Sequence, residues 1–131
     1  MTTNIMFLCP HGAAKSTAAA AFLHREAKRL GLDLHIGNAG TEPDPIVNPL
    51  VRERLVADDL PVASPPRHVS SDDLSNADMI INIGCRYDDL PTDKSVHDWS
   101  IPNFSDDPVI AFAALESHVV GLATGLTAQS R

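Results

Sequence analysis

Cysteine, lysine and serine side chains lie close together in the stretch "CPHGAAKS", residues 9–16. A thiolate is a strong nucleophile, and a nearby positive charge or a helix N-terminus stabilises it. Cys9 is therefore a candidate nucleophile, with Lys15 supplying positive charge and Ser16 a hydroxyl that can donate to the thiolate. Gly12 lets the intervening loop turn tightly, so that its backbone N–H groups can surround an anion. The spacing predicts a cysteine that attacks a bound oxyanion.

The elements that must position this loop alternate between strands and helices. An apolar run at 4–8 predicts a strand that ends before Cys9, and apolar residues at helical spacing predict a helix over 15–31 that ends at Gly31. Alternation of this kind favours a parallel sheet covered by helices on both faces, with the ligand site at the carboxyl ends of the strands. Further strands are predicted at 32–41, 77–85 and, more weakly, 95–99. Further helices are predicted from Asn48 as N-cap with Pro49 in the first turn, from Ser70 or Ser71 as N-cap, and from Asp107-Pro108.

Composition limits the classes of function. The chain has 131 residues, 44% of them hydrophobic, and a formal net charge of −7. This length predicts one domain over residues 1–131, and the acidic balance argues against nucleic acid as a partner, because phosphate backbones need a basic surface. The N-terminus does not have the pattern of a signal peptide, and no run of about 18 uninterrupted apolar residues could span a bilayer. We therefore expect a cytoplasmic protein that uses no membrane and in which both cysteines are thiols unless a redox cycle uses them.

Four segments of the sequence resemble one known family. Cys9, five intervening residues, Lys15 and Ser16 after a first strand resemble the phosphate-binding loop of the low-molecular-weight protein-tyrosine phosphatase superfamily, which includes the arsenate reductases. The other matching segments are "NAGT" at 38–41, "VNPLV" at 47–51 and "WSIPNFSDDP" at 99–108. The resemblance implies an α/β fold, a three-layer sandwich of the flavodoxin-like type in which helices flank a four-stranded parallel sheet.

The same resemblance implies a chemistry and a set of site residues. Cys9 would form a cysteinyl-phosphate or cysteinyl-arsenate intermediate, the backbone N–H groups of residues 10–16 and Lys15 would hold the oxyanion, and an aspartate on the late loop would be the general acid. No cofactor and no metal are expected. The catalytic candidates are Cys9, Lys15, Ser16, Asp106, Asp107 and Cys85. The substrate-binding candidates are Pro10, His11, Gly12, Ala13, Ala14, Lys15 and Ser16.

Three positions depart from the family pattern. Lys15 stands where the family has arginine, and a lysine offers a compact charge rather than a planar bidentate clamp. Gly12 stands where asparagine is common, a mild change because both residues tolerate the left-handed backbone region. Counted from Trp99, the family's Asp-Pro position falls on Asn103-Phe104, and an Asp-Pro pair appears only at 107–108. Asp107 is therefore either a general acid or the N-cap of the last helix.

Cys85 follows the predicted strand 77–85 and leaves two interpretations open. It could lie on the same rim as Cys9 and resolve an oxidised intermediate, as in thioredoxin-coupled arsenate reductases. The further cysteine of such a relay is missing, since Leu90 precedes Pro91, so only a Cys9–Cys85 disulfide or an external low-molecular-weight thiol could finish the reduction. The expected partner is a low-molecular-weight thiol or thioredoxin. The other interpretation is a small buried hydrophobe at a strand end.

Two other chemistries fit the loop poorly. A nucleotide-binding P-loop needs glycines at the positions of Cys9 and Ala14, and both are absent. Cys9, His11 and Cys85 do not have the spacing of a structural zinc site. His11 either contacts the anion or is an exposed loop histidine.

The predicted substrate is small. Family phosphatases flank the loop with aromatic rings, and the candidates here are Trp99, Phe104 and Tyr87. A site entrance with few aromatic side chains fits a small oxyanion or small phosphomonoester. The sequence thus predicts hydrolysis of a phosphomonoester through a cysteinyl-phosphate, with two alternatives: a thiol-coupled arsenate reductase, or a catalytically weak phosphate-binding relative with a regulatory role.

Overall fold

A four-stranded parallel sheet organises the chain in the computed structural model, which describes residues 2–61, 65–90 and 92–129. The strand order is β2-β1-β3-β4, and every neighbouring pair is parallel. The predicted fold class is confirmed. The strands are β1 (Thr3–Leu8), β2 (Leu34–Ala39), β3 (Met79–Asn82) and β4 (Val96–Asp98), and the helices are α1 (Lys15–Leu30), α2 (Pro49–Ala57), α3 (Ser71–Asn76) and α4 (Pro108–Gln129).

The two faces of the sheet bury separate apolar clusters. Alternate residues of β1 point to opposite faces, so Ile5 and Phe7 pack with α1 and α4, whereas Met6 and Leu8 pack with Leu74 of α3. By length and composition α4 could cross a membrane, but one side of it is buried in the first cluster. The side chains of α4 that are buried there include Ala111, Leu115, Val119 and Ala123.

Local signals set the helix ends where the sequence predicts them. Gly31 adopts a left-handed φ of 68° after α1. The Asn48 side chain accepts hydrogen bonds from the N–H groups of Leu50 and Val51, which makes it the N-cap of α2. Of the two serines considered for α3, the N-cap is Ser70, which forms a capping box with Asp73.

The third strand is shorter than predicted. The sequence predicts a strand over 77–85, but β3 ends at Asn82, whose side chain accepts from the Cys85 N–H at 2.8 Å and donates to the Cys85 carbonyl at 2.9 Å. These bonds close a turn in which Gly84 has a φ of 100°. The turn places Cys85 beyond the sheet edge rather than in the strand.

Candidate active site

Cys9 lies directly after β1 and is almost fully buried, with 3% of its surface exposed. Its Sγ donates to Ser16 Oγ at 3.1 Å, and the Ser16 N–H donates back to Sγ at 3.4 Å. Because the Ser16 hydroxyl can rotate, it can donate to the sulfur once Cys9 loses its proton. The predicted Cys9–Ser16 pair is therefore present in the structure, at the first turn of α1.

The loop between Cys9 and α1 is fixed by the segment 42–48. Three backbone N–H groups of that segment donate to the carbonyls of Pro10, His11 and Ala13, at 2.7, 3.0 and 2.9 Å. In a trans peptide the C=O and the following N–H point in opposite directions, so the N–H groups of His11, Gly12 and Ala14 point away from this segment. The carbonyls of Pro10, His11 and Ala13 thus point toward the segment 42–48, and the N–H groups that follow them point to the opposite side of the loop. This arrangement favours anion binding on that opposite side.

Two of the residues predicted to donate N–H groups differ from the prediction. Pro10 has no N–H, so it can only line the site. The Gly12 N–H is used inside the loop, where it donates to the Cys9 carbonyl at 3.2 Å. Within the part of the chain that the structure describes, the N–H groups of His11 and Ala14 have no such backbone partner.

Gly12 and Gly40 touch each other through their backbones. Gly12 has a φ of 60°, and a Cβ on it would lie 2.9 Å from the Gly40 nitrogen. A Cβ on Gly40 would lie 2.5 Å from the Gly12 nitrogen. The sequence predicts the turn at Gly12 but not this contact, which ties the loop after β1 to the "NAGT" segment after β2.

A cavity of about 500 Å³ opens above this loop. Cys9, His11 and Lys15 line it on one side, and Asn103 and Phe104 line it on the other. The first turn of α1 has no acidic residue and no N-cap side chain, and the Cys9 sulfur, which accepts from the Ser16 N–H, takes the place of the usual side-chain acceptor. The cavity therefore combines a nucleophile with the positive end of a helix.

Lys15 joins the loop to the segment before α4. Its Nζ donates to the Ile101 carbonyl at 2.7 Å and to Asn103 Oδ1 at 3.1 Å. Burial lowers the pKa of Lys15 below its ordinary value, although the nearby charges of Cys9 and Asp106 act in the opposite direction. Two of the three ammonium protons are thus engaged by the late loop. Contact of Lys15 with an oxyanion stays a prediction.

The two predicted acids lie at the start of α4. Asp107 Oδ1 accepts from the Ile110 N–H at 3.2 Å, so Asp107 is the N-cap of this helix. Asp106 is exposed and close enough to Lys15 to affect the pKa of that lysine. Neither carboxylate is among the cavity-lining groups, whereas Asn103, at the family's acid position when counted from Trp99, is one of them.

Cys85 lines a second cavity of about 380 Å³, together with Lys15, Asp98 and Trp99. It is 8% exposed and belongs to the apolar cluster on the opposite face of the sheet from Cys9. Burial raises the pKa of the Cys85 thiol; Thr41 Oγ1, which donates to its sulfur at 3.9 Å, opposes this effect, and the nearby Cys9 adds to it. The interpretation of Cys85 as a small buried hydrophobe agrees with this packing.

Two other residues singled out in the sequence, His11 and Trp99, make their contacts with groups other than the Cys9 thiol. The Nδ1 of His11 lies 3.2 Å from the Glu42 carbonyl oxygen and 3.3 Å from an Asp44 carboxylate oxygen. Trp99 packs between Phe7 and His118 instead of facing Cys9.

The remaining predictions concern aromatic walls and metals. Phe104 is buried, with its ring 4.4 Å from that of Phe112. The Tyr87 side chain lies outside the described residues. Over residues 2–61, 65–90 and 92–129, no three His, Cys, Asp or Glu side chains are grouped so as to hold a metal ion.

Comparison with known proteins places this geometry in a family. The model of the low molecular weight phosphotyrosine protein phosphatase family matches residues 4–93. A Halobacterium salinarum protein named "Putative arsenate reductase" is 32% identical over 111 residues, which cover 82% of this chain and 75% of that protein. An Archaeoglobus fulgidus arsenate reductase is 29% identical, with a TM-score of 0.75 over 92% of this chain and 98% of the other.

Two further structures show the same fold at lower identity. A thioredoxin-dependent arsenate reductase of Corynebacterium glutamicum is 22% identical, with a TM-score of 0.80 over 98% of this chain; the chain spans only 63% of that protein. A low molecular weight protein tyrosine phosphatase of Bacillus subtilis is 19% identical, with a TM-score of 0.80 over 98% of this chain and all of the other. The chain therefore belongs to the low molecular weight phosphotyrosine protein phosphatase family, which contains both phosphatases and arsenate reductases.

Proposed function

We propose that this protein hydrolyses small phosphomonoesters through a cysteinyl-phosphate on Cys9. The observation that carries the proposal is the Cys9–Ser16 pair at 3.1 Å, on the floor of a cavity at the N-terminus of α1. A thiolate held by a hydroxyl and a backbone N–H is a nucleophile directed at whatever anion this helix end binds. Among the residues that the structure describes, Phe104 is the one aromatic ring of Phe, Tyr or Trp that lines the cavity, which suits a small ester better than a phosphotyrosine in a protein.

The reaction proceeds in two displacements. The Cys9 thiolate attacks phosphorus, so the S–P bond forms as the ester P–O bond breaks, and the leaving oxygen takes a proton. The N–H groups of His11 and Ala14, with the third proton of Lys15, stabilise the charge on the phosphoryl oxygens. Water then attacks phosphorus and gives a proton to the carboxylate that protonated the leaving group, and the sulfur leaves as the thiolate, which Ser16 stabilises by donating a hydrogen bond.

Asp106 is the better of the two candidate proton donors. The Asp107 carboxylate is engaged by the Ile110 N–H, whereas Asp106 lies beside Lys15 and carries no such bond to the helix. Asp106→Asn is expected to lower kcat on phenyl phosphate by about 100-fold, and less on p-nitrophenyl phosphate, whose leaving group needs less protonation. Asp107→Asn, which keeps the cap, is the matched control and should leave both rates within about twofold.

Hydrolysis is favoured over an intramolecular reduction by the protonation of Cys85. An internal relay needs the Cys85 thiolate to attack the Cys9 adduct. Burial raises the pKa of Cys85, and Cys9 lies close enough to raise it further, so the Cys85 thiol stays protonated and is a poor nucleophile. Hydrolysis requires only water.

Arsenate reduction with an external thiol is the second candidate, because the two relatives at 29% and 32% identity carry arsenate reductase in their names. In that reaction Cys9 displaces one arsenate oxygen as water. A low-molecular-weight thiol or thioredoxin then attacks the Cys9 sulfur, which releases arsenite and leaves a mixed disulfide.

We also expect a cytoplasmic location, where such thiols are kept reduced.

One experiment separates these functions. The full chain is assayed with p-nitrophenyl phosphate, and in parallel with arsenate plus either a small thiol or thioredoxin and its reductase. Release of p-nitrophenol that is lost in Cys9→Ser and retained in Cys85→Ser supports the hydrolase. Thiol-dependent arsenite formation without phosphatase activity would replace the first candidate by the second. Phosphate binding without either turnover would contradict both.

A further inference from the structure

Asn103 is held by Lys15 in one orientation. A lysine ammonium can only donate hydrogen bonds, so the atom of the Asn103 amide that lies 3.1 Å from Nζ must be the oxygen. The other end of the amide, Nδ2, carries two N–H donors. Fixing Oδ1 on Lys15 therefore fixes where these donors are presented.

The backbone of Asn103 is fixed as well. Its carbonyl accepts from the N–H groups of Asp106 and Asp107, at 3.2 and 3.4 Å, in the turn that leads into α4. The next residue, Phe104, is 4% exposed and packs on Phe112 of that helix. Asn103 is itself exposed to the cavity that contains Cys9. A polar side chain anchored at both its backbone and its amide oxygen loses little further freedom when it binds a ligand.

We propose that Asn103 is an oxyanion-binding residue that donates from Nδ2 to an oxygen of the anion above Cys9, and that Lys15 is the residue that positions it. The inference deepens the proposed function, on which its role in turnover rests, but the binding contact is testable without turnover. A neutral donor at this position attracts a phosphate or arsenate dianion, whereas a carboxylate there would repel it. Asn103 thus increases affinity for the dianion without supplying a proton.

The test is calorimetric titration of inorganic phosphate into the full chain and its variants. Asn103→Ala removes one hydrogen bond to a charged group and is expected to weaken binding about 10- to 100-fold. Asn103→Asp adds a negative charge at the same place and is expected to weaken binding further. Asn76→Asp, at the end of α3, adds the same charge away from the cavity and is expected to leave affinity unchanged.

Each outcome decides the proposal. If Asn103→Ala and Asn103→Asp bind phosphate as tightly as the unaltered chain, or if the unaltered chain binds none at millimolar concentrations, Asn103 is not an anion ligand. If Asn76→Asp weakens binding as much as Asn103→Asp, the effect is one of net charge and the proposal is wrong. Binding that depends on Asn103 in a chain that turns over no phosphate ester would refute the hydrolase and leave this inference standing. Thermal unfolding of each variant checks that the fold is intact.

Discussion

Cys9 and Cys85 follow neighbouring parallel strands, yet their surroundings differ. Cys9 leads through a short loop into α1, donates a hydrogen bond to Ser16 Oγ and accepts one from the Ser16 N–H. Cys85 follows a glycine turn closed by the Asn82 side chain and packs in an apolar cluster. A position at the carboxyl edge of the sheet is thus insufficient for nucleophilic chemistry. Both thiols are buried, and the element that follows the strand decides whether the thiol lies at the first turn of a helix or beside a glycine turn.

The largest expected contrast is in catalysis. Cys9→Ser should lower kcat/KM on p-nitrophenyl phosphate by about 10⁴-fold or more, because the covalent intermediate cannot form. Cys85→Ser should change it by no more than about twofold, since Cys85 lines the neighbouring cavity and hydrolysis does not use its thiol. Steady-state kinetics on both purified variants measures the contrast. An equal loss in the two variants would mean that the cysteines act as one unit.

The loop that follows Cys9 can be disrupted by a substitution at Gly40, which lies against Gly12 of that loop. Gly40→Ala puts a Cβ 2.5 Å from the Gly12 nitrogen and within 2.8 Å of two carbonyl oxygens of the loop, so it should lower the free energy of unfolding by about 3 kcal/mol. Gly31→Ala is the matched control, because its positive φ costs only about 1 kcal/mol and no atom lies within 4 Å of the new Cβ. Urea unfolding gives both values. Equal decreases in the free energy of unfolding of the two variants would show that the loop shifts to accommodate the added methyl group.

Alkylation distinguishes the two thiols directly. At neutral pH iodoacetamide should modify Cys85 at least about tenfold more slowly than Cys9. Burial raises the pKa of Cys85, whereas the hydroxyl and the N–H of Ser16 lie within hydrogen-bond distance of the Cys9 sulfur and stabilise a thiolate there, and thiols react as thiolates. Because the pKa of Cys85 is raised, the rate at which Cys85 is alkylated should keep rising with pH beyond 9.0, the ordinary pKa of the thiol. Phosphate should slow only the modification of Cys9. Peptide mass spectrometry over a pH series measures each rate, and phosphate protection of Cys85 would place the anion in the wrong cavity.

The smallest predicted effect concerns the start of α4. Asp107→Ala removes the N-cap and should lower the free energy of unfolding by about 1 kcal/mol, whereas Asp107→Asn should be nearly neutral because asparagine caps as well as aspartate does. Chemical denaturation compares them. A stable Asp107→Asn variant that loses phosphatase activity would make Asp107, not Asp106, the proton donor.

The fold could be predicted from the sequence because its signals are local. Asn48 before Pro49, Ser70 before Asp73, and Gly31 after a basic last turn each mark a helix end by a bond within a few residues. The end of β3 could not be placed, since the apolar run continues through Ile83 while the Asn82 side chain closes a turn.

The site was only partly predictable for a related reason. Cys9, Lys15 and Ser16 follow from spacing along one stretch of chain. The bond from Lys15 to Ile101 spans 86 residues and ends on a backbone carbonyl, which no residue type reveals. The contact between Gly12 and Gly40 also joins two distant loops, so the sequence offers only a glycine at each place.

The most direct test of the account is to trap the intermediate. The full chain is mixed rapidly with p-nitrophenyl phosphate, quenched in acid, and digested for peptide mass spectrometry. We expect a burst of p-nitrophenol and one phosphoryl group on the peptide that contains Cys9, with neither in Cys9→Ser. A burst with no phosphoryl group on Cys9, or with the group on another residue, would contradict the assignment of Cys9 as the nucleophile.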